Sequence, residues 1–130
     1  MIAVKEAVFT DKAPRPVGPY SQAIVAGDLV FVSGQIPIDP RTGKLIEGDF
    51  EDQVRRVLEN LKAILEAAGL TLDDVVKVTA FLKDPSKFQD FNRVYSEYFK
   101  GSFPARTTVF VADLPAGAQV EVEAIALRPR

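Results

Sequence analysis

Apolar residues return every three or four positions between residues 49 and 69. Phe50, Val54, Val57, Leu58, Leu61, Ile64, Leu65 and Ala68 fall on one stripe of a helix. Asp49 stands where an N-cap belongs, and Gly69 where a left-handed residue can end the helix. The stretch "DPSKFQDFNRVYSEYFKG" (residues 84–101) predicts a second helix, with Pro85 in its first turn and Gly101 at its end. Its apolar side is Phe88, Phe91, Val94, Tyr95 and Tyr98. Elsewhere the period is two. Strands are predicted near residues 5–9, on both sides of Gly27-Asp28, across "DDVVKVTAFLKD", at 107–112 and at 119–127. A proline-rich connector, "DKAPRPVGPY", follows the first strand, and "DPRTGK" reads as a turn. The order β-β-β-α-β-α-β-β contains no linker and no repeat. It predicts a single α+β domain over residues 1–130, with both helices on one face of the sheet.

Strand parity sorts the side chains further, because alternate residues point to opposite faces. One set is small and apolar: Val30, Val32, Val76, Val78, Ala80, Leu82, Val109, Val111, Val120, Val122, Ala124 and Ala126. It suits a face covered by helices. The other set is mixed: Leu29, Phe31, Ser33, Lys77, Thr79, Phe81, Arg106, Thr108, Phe110, Glu121, Glu123 and Ile125. Three phenylalanines, a leucine and an isoleucine are too much apolar area for a monomer's surface. The expectation is that this face is buried against other copies of the chain, with Arg106, Ser33, Thr108 and Glu121 in or beside the interface.

Composition narrows the chemistry. The chain has 130 residues and a net charge of −2, with no basic stripe for nucleic acid. No apolar run approaches a membrane span and the N-terminus lacks a signal-peptide layout, so a cytoplasmic protein is expected. There is no cysteine and no histidine. Disulfides, thiolate nucleophiles, histidine bases and nearly all catalytic zinc sites are thereby excluded. Acid–base work must fall to carboxylates, lysines, tyrosines, backbone groups or water.

Arg106 is the first candidate. A guanidinium placed on a half-buried face needs an anion, either Glu121 or Glu123 on a nearby strand or a ligand carboxylate. Glu121 and Glu123 share a face about 7 Å apart, from a strand rise of about 3.3 Å per residue. A glycosidase pair is one reading and a solvated strand face the simpler one. A glutamate beside an apolar wall and an arginine could instead transfer protons. Gly34 in "VSGQIP" either lets a ligand approach the backbone closely or marks a bulge or strand end. Tyr20 and Ser33 are further polar candidates, and Asn92 is either functional or simply solvent-facing. "TGK" at residues 42–44 lacks the glycine-rich lead-in of a phosphate loop.

Taken in order, "APRPVGPYSQA", "VFVSGQIPIDPRTGK", "VLENLKAILEAAGL", "DVVKVTAFLKD", "FQDFNRVYSEYF", "FPAR" and "VEVEAIA" resemble the RidA (YjgF) family across essentially the whole chain. The resemblance implies a chorismate-mutase-like fold: a mixed sheet with two helices on one face. It also implies a homotrimer whose sheets surround a central barrel, with sites between adjacent subunits. The implied activity is hydrolysis of 2-aminoacrylate/2-iminopropanoate and 2-iminobutanoate to 2-keto acids and ammonia, with no metal and no organic cofactor. The resemblance carries the family's carboxylate-binding arginine onto Arg106 and its last-strand glutamate onto Glu121. Its tyrosine, serine and glycine fall on Tyr20, Ser33 and Gly34, and its helix asparagine on Asn92. Many members have cysteine where this chain has Thr108, which the resemblance makes a substrate-binding position: if it acts through its backbone little changes, and if the thiol matters, rate or sensitivity to oxidants differs.

On that reading Arg106 clamps the substrate carboxylate, and Glu121 activates water or relays a proton to the departing ammonia. Other readings stay open. One is a trimer that binds 2-keto acids without turnover. Another is an RNA-directed activity, with which the family has also been credited but for which no basic-aromatic strand platform is evident. A third is mutase chemistry, since one fold serves many functions. The expected partners are small imine or enamine acids and two further copies of the chain, with neither membrane nor nucleic acid.

Overall fold

Asp49 accepts a hydrogen bond from the Asp52 amide at 2.9 Å and starts helix α1, Phe50–Ala67. The chain leaves the helix at Gly69, whose φ of 79° is the left-handed conformation that glycine adopts without steric cost. Val54, Val57, Leu58, Leu61, Ile64 and Leu65 on its inner stripe are fully buried. Helical stability in proteins comes mostly from tertiary packing of an amphipathic face, so this buried stripe, at about 1.5–3 kcal/mol per large apolar side chain, is what fixes it. The computed structural model describes residues 4–129.

The described residues form eight strands: β1 (Lys5–Val8), β2 (Ala23–Ala26), β3 (Leu29–Gln35), β4 (Ile38–Asp39), β5 (Lys44–Leu45), β6 (Val75–Leu82), β7 (Ala105–Phe110) and β8 (Val120–Leu127). The short β4–β5 pair flanks the turn read from "DPRTGK". The other six form one mixed sheet in the order β1-β2-β3-β8-β6-β7. Every neighbouring pair is antiparallel except β6–β7, which is parallel. Helix α2, Phe88–Tyr98, makes that crossover, entered through a 3-10 turn at Pro85–Lys87 that the Asp84 side chain caps. Both helices contribute to one buried cluster on one face of the sheet, where α1 also packs against α2. The expected α+β layering with a mixed sheet and two helices is the observed one.

Parity holds for β3 and β8, and for β6 from Val78 onward. It fails at two places. In β6 a register shift between Val75 and Lys77 lets Val75 take the core position, so Val76, expected inside, is exposed. In β7 the assignment is reversed throughout. Arg106, Thr108 and Phe110 pair with Val78, Ala80 and Leu82, and directly paired residues point to the same face. Arg106, Thr108 and Phe110 therefore lie on the helix side, not on the mixed face. The ring of Phe110 meets Phe88 of α2 edge-on at 6.1 Å. Val109, expected in the core, faces the other way and is 36% exposed. The parallel register decides this, and alternation within a strand of mixed composition does not reveal it.

The face without helices still carries a band of apolar residues. Leu29 pairs with Leu127, and Phe31 with Ile125. Phe31 and Leu127 are 42% and 47% exposed, which leaves large apolar side chains in water beside Glu121, Glu123 and Lys77.

Candidate functional site: two half-clefts on opposite sheet faces

Arg106 stands at the start of the edge strand β7, with its guanidinium over helix α2. Phe88, Phe91 and Tyr95 follow the i, i+3, i+7 spacing of one helical stripe and present three rings to it. The guanidinium carbon lies 5.8 Å from the Phe88 centroid, 5.4 Å from Phe91 and 4.8 Å from Tyr95, all within cation–π range. Asn92, from the same helix, accepts a hydrogen bond from Arg106 Nη2 at 2.8 Å. The Asn92 side chain is thus engaged rather than simply solvent-facing. Among the described residues no carboxylate pairs with Arg106. The ion pair with Glu121 or Glu123 considered from the sequence does not form, because β6 separates β7 from β8 and the side chains leave opposite faces. A cleft of about 300 Å³ opens here, lined by Asn92, Tyr95, Ser96, Phe103, Pro104 and Arg106.

Glu121 occupies a second cleft, of about 330 Å³, with Tyr20, Ser33, Gly34, Val17, Ile36 and Pro115. Its strand position opposite Phe81 places it on the face that the helices leave open. Gly34 lies where β3 slips register against β8, between Val32 and Gln35. The bulge reading of this glycine holds, and the group of this chain that approaches its backbone is Glu121. A Cβ on Gly34 would meet the Glu121 Cδ at 2.9 Å and Cγ at 3.2 Å, and would collide with the carboxylate itself. Half-burial pushes the Glu121 carboxyl above the usual carboxylate range, and the neighbouring Glu123 charge adds to the rise. Ser33 Oγ donates to the Ser21 carbonyl at 2.6 Å, so its one proton is committed and toward any further group it can only accept. Tyr20 Oη accepts from the Val17 amide at 3.2 Å and closes the proline-rich connector into a loop.

The sequence-derived residues thus divide into two groups. Tyr20, Ser33, Gly34 and Glu121 come together in one cleft, and Asn92 and Arg106 in the other. Thr108 lies beyond Arg106 on the helix side, opposite Ala80, and lines neither cleft. One chain does not bring Arg106 and Glu121 to a common point. Among the described residues no cluster of acidic side chains could hold a metal ion.

Three buried amides and one tyrosine escaped the sequence reading. Gln22 exchanges hydrogen bonds with the Thr10 backbone, at 2.8 and 3.0 Å, and donates to the Pro14 carbonyl at 2.9 Å. It ties down the connector that carries Tyr20. Asn60 donates to the Ile38 carbonyl at 2.9 Å and fixes the chain after Gly34. Gln53 accepts from the Gln119 amide at 3.2 Å at the entry to β8. Polar residues at 53 and 60 on the apolar side of α1 were the signal that could have found two of them. Tyr95 looked like helix core, which it is, yet its ring also lies under Arg106.

Comparisons with known proteins bear on this arrangement. A RutC family protein of Pyrococcus horikoshii is 58% identical over 125 residues, covering 96% of this chain and 99% of its own. A protein of Dermatophagoides farinae named 2-iminobutanoate/2-iminopropanoate deaminase is 44% identical over 121 residues, covering 93% and 94% of the two chains. The crystal structure of RidA from an Antarctic Psychrobacter superposes with a TM-score of 0.91 at 48% identity, over 94% of this chain and 98% of that one. The family described as endoribonuclease L-PSP matches residues 10–128. On sequence and structure alike, this chain belongs to the RidA (YjgF) family.

Proposed function

We propose that this chain hydrolyses small imine and enamine acids, such as 2-iminopropanoate and 2-iminobutanoate, to 2-keto acids and ammonia. The sites would be built where the Arg106 cleft of one copy meets the Glu121 cleft of a neighbouring copy in a homotrimer. One observation carries the reading: a half-buried guanidinium, fixed by Asn92 and three rings, has no carboxylate partner among the described residues. A cation so placed suits an anionic ligand, and its fork matches a carboxylate. The deaminase name of the mite relative supports the same chemistry. The uncovered apolar band around Phe31 and Leu127 supports assembly through that face.

The chemistry follows from the two clefts. Arg106 holds the substrate carboxylate and so fixes the imine carbon one bond away. Glu121, in its ionised form, takes a proton from a water as the water oxygen adds to that carbon. The C=N electron pair moves onto nitrogen, which is protonated. The resulting carbinolamine collapses: its hydroxyl proton passes through Glu121 to the amino nitrogen, the carbon–nitrogen bond breaks, ammonia leaves and the keto group forms. Glu121 returns its proton over the cycle and is unchanged. A raised pKa makes it a stronger base than an ordinary carboxylate. The ribonuclease description of the family finds little support in this site, because Arg106 is the one cation lining the two clefts.

The direct test is release of 2-keto acid from an imine generated in situ by an amino-acid oxidase. Arg106→Lys keeps the charge but loses the fork, and is expected to lower kcat/KM on the order of ten- to a hundredfold while the protein stays folded. Wild-type turnover in the lysine variant would make Arg106 structural. Binding of keto acids with no turnover by the wild type would favour a binding protein instead.

Gly34→Ala tests the placement of Glu121. The new methyl group must displace a flexible carboxylate rather than backbone, so the fold should survive while kcat falls at least about tenfold. An unaffected kcat in the alanine variant would mean that the Glu121 position does not matter.

Burial is the larger cause of the raised Glu121 pKa, and Glu123→Gln tests the second, the neighbouring like charge. Removing the like charge lowers the Glu121 pKa, so the acid limb of kcat/KM should move to lower pH. The substrate titrates identically with both enzymes, so the difference between their profiles belongs to the protein. An unmoved limb, or one shifted upward, contradicts the assignment of Glu121 as the base.

A further inference from the structure

Tyr95 is the least easily explained residue of the Arg106 cleft. Its ring is the nearest of the three beneath the guanidinium, and it also stacks on Phe99 at 4.5 Å and leans on Phe91 at 5.5 Å. Phenylalanine would supply every one of these ring contacts. Yet residue 95 carries a hydroxyl, it is only 4% exposed, and its Oη is buried without a hydrogen-bond partner among the described residues. A buried polar group left unpaired is a cost to the folded protein. A hydroxyl kept at such a place needs a state in which it is satisfied.

The nearest source of donors is Arg106. Burial pushes the Tyr95 hydroxyl up to about 12, while the Arg106 charge and the approach of Arg106 to the hydroxyl, close but short of hydrogen-bond geometry, work against that rise. The hydroxyl is therefore neutral, close to the guanidinium, and able to accept from it. In the free chain the guanidinium donates Nη2 to Asn92, and its other N–H groups have no carboxylate to align them. A bound carboxylate takes two parallel N–H groups and fixes the guanidinium plane. The remaining N–H groups must then be met from the protein side.

We propose that Tyr95 is a positioning residue for the clamp: the approach of Arg106 to its Oη closes into a full hydrogen bond once a substrate carboxylate has set the guanidinium plane. The hydroxyl lacks a full hydrogen bond in the free protein and gains one in the complex, so it adds to binding what it withholds from folding. The ring beneath holds the guanidinium in place without neutralising it, as a carboxylate counter-ion would. Phe88 and Phe91 complete that cradle from the same stripe of α2. This inference rests on the proposed function, since it assumes that Arg106 receives a carboxylate.

Tyr95→Phe separates the hydroxyl from the ring, and Tyr95→Leu removes both. Calorimetric titration with pyruvate, as a product-like 2-keto acid, reads the clamp independently of turnover, and thermal melts of the ligand-free proteins read folding. The phenylalanine variant should melt higher than wild type, yet bind pyruvate about three- to tenfold more weakly and show a similarly raised KM for the imine with kcat largely kept. The leucine variant should bind more weakly still. A merely structural tyrosine predicts that stability and affinity move together. Unchanged affinity and KM in Tyr95→Phe, or a lower melting temperature with weaker binding, overturns the inference while leaving the deaminase reading intact. If wild type neither binds pyruvate nor hydrolyses imine acids, the underlying reading fails and this inference with it.

Discussion

The parallel register between β6 and β7 is the constraint on which the site depends. By pairing Val78 with Arg106, it turns the arginine toward helix α2. By pairing Phe81 with Glu121 across β6, the antiparallel register on the other side turns the glutamate to the opposite face. A shift of one residue in either ladder would reverse one of these directions. The two groups best suited to imine hydrolysis are thus held apart by the sheet itself. No side-chain rotation brings them together within one copy.

Each half is built to keep its charged group ready rather than neutralised. Arg106 is positioned by π-faces and an amide oxygen, neither of which cancels its charge. Glu121 is kept basic by half-burial and by a like-charged neighbour, against the backbone of a residue that has no side chain to obstruct it. The supporting amides act on the backbone around these groups. Gln22 fixes the connector that delivers Tyr20, and Asn60 fixes the chain beyond Gly34. The fold spends its buried polar groups on loop geometry beside the Glu121 cleft, and its aromatic residues on the Arg106 cleft.

Much of this was legible in the sequence, and for identifiable reasons. Helix α1 announced itself by a full apolar stripe between Asp49 and Gly69, because both termini carry residues with a specific conformational role. In β3 and β8, clean alternation of small apolar residues fixed the faces. Strand β7 was misread because Arg106, Thr108 and Phe110 look no more buried than Thr107 and Val109. An edge strand half covered by one helix has no clean inner face. The bulge that exposes Val76 is likewise invisible, since either valine of the pair could fill the core position. The grouping of Tyr20, Ser33, Gly34 and Glu121 came from resemblance and not from periodicity, because their proximity depends on β3 lying beside β8, a long-range pairing. Tyr95 was legible as core and illegible as part of the cleft, since one ring serves both.

The central claim is that Arg106 and Glu121 act on one substrate only across two copies of the chain. Mixing two inactive variants tests it most directly. Arg106→Ala and Glu121→Gln are each assembled alone, then unfolded together in equal amounts and reassembled, and imine hydrolysis is measured. In a cyclic trimer every hybrid holds one site with both wild-type residues, so random mixing should restore about a quarter of wild-type activity. If both residues served a site within one chain, every site in every hybrid would lack one of them. Mixed trimers as inactive as the two parents would contradict the account.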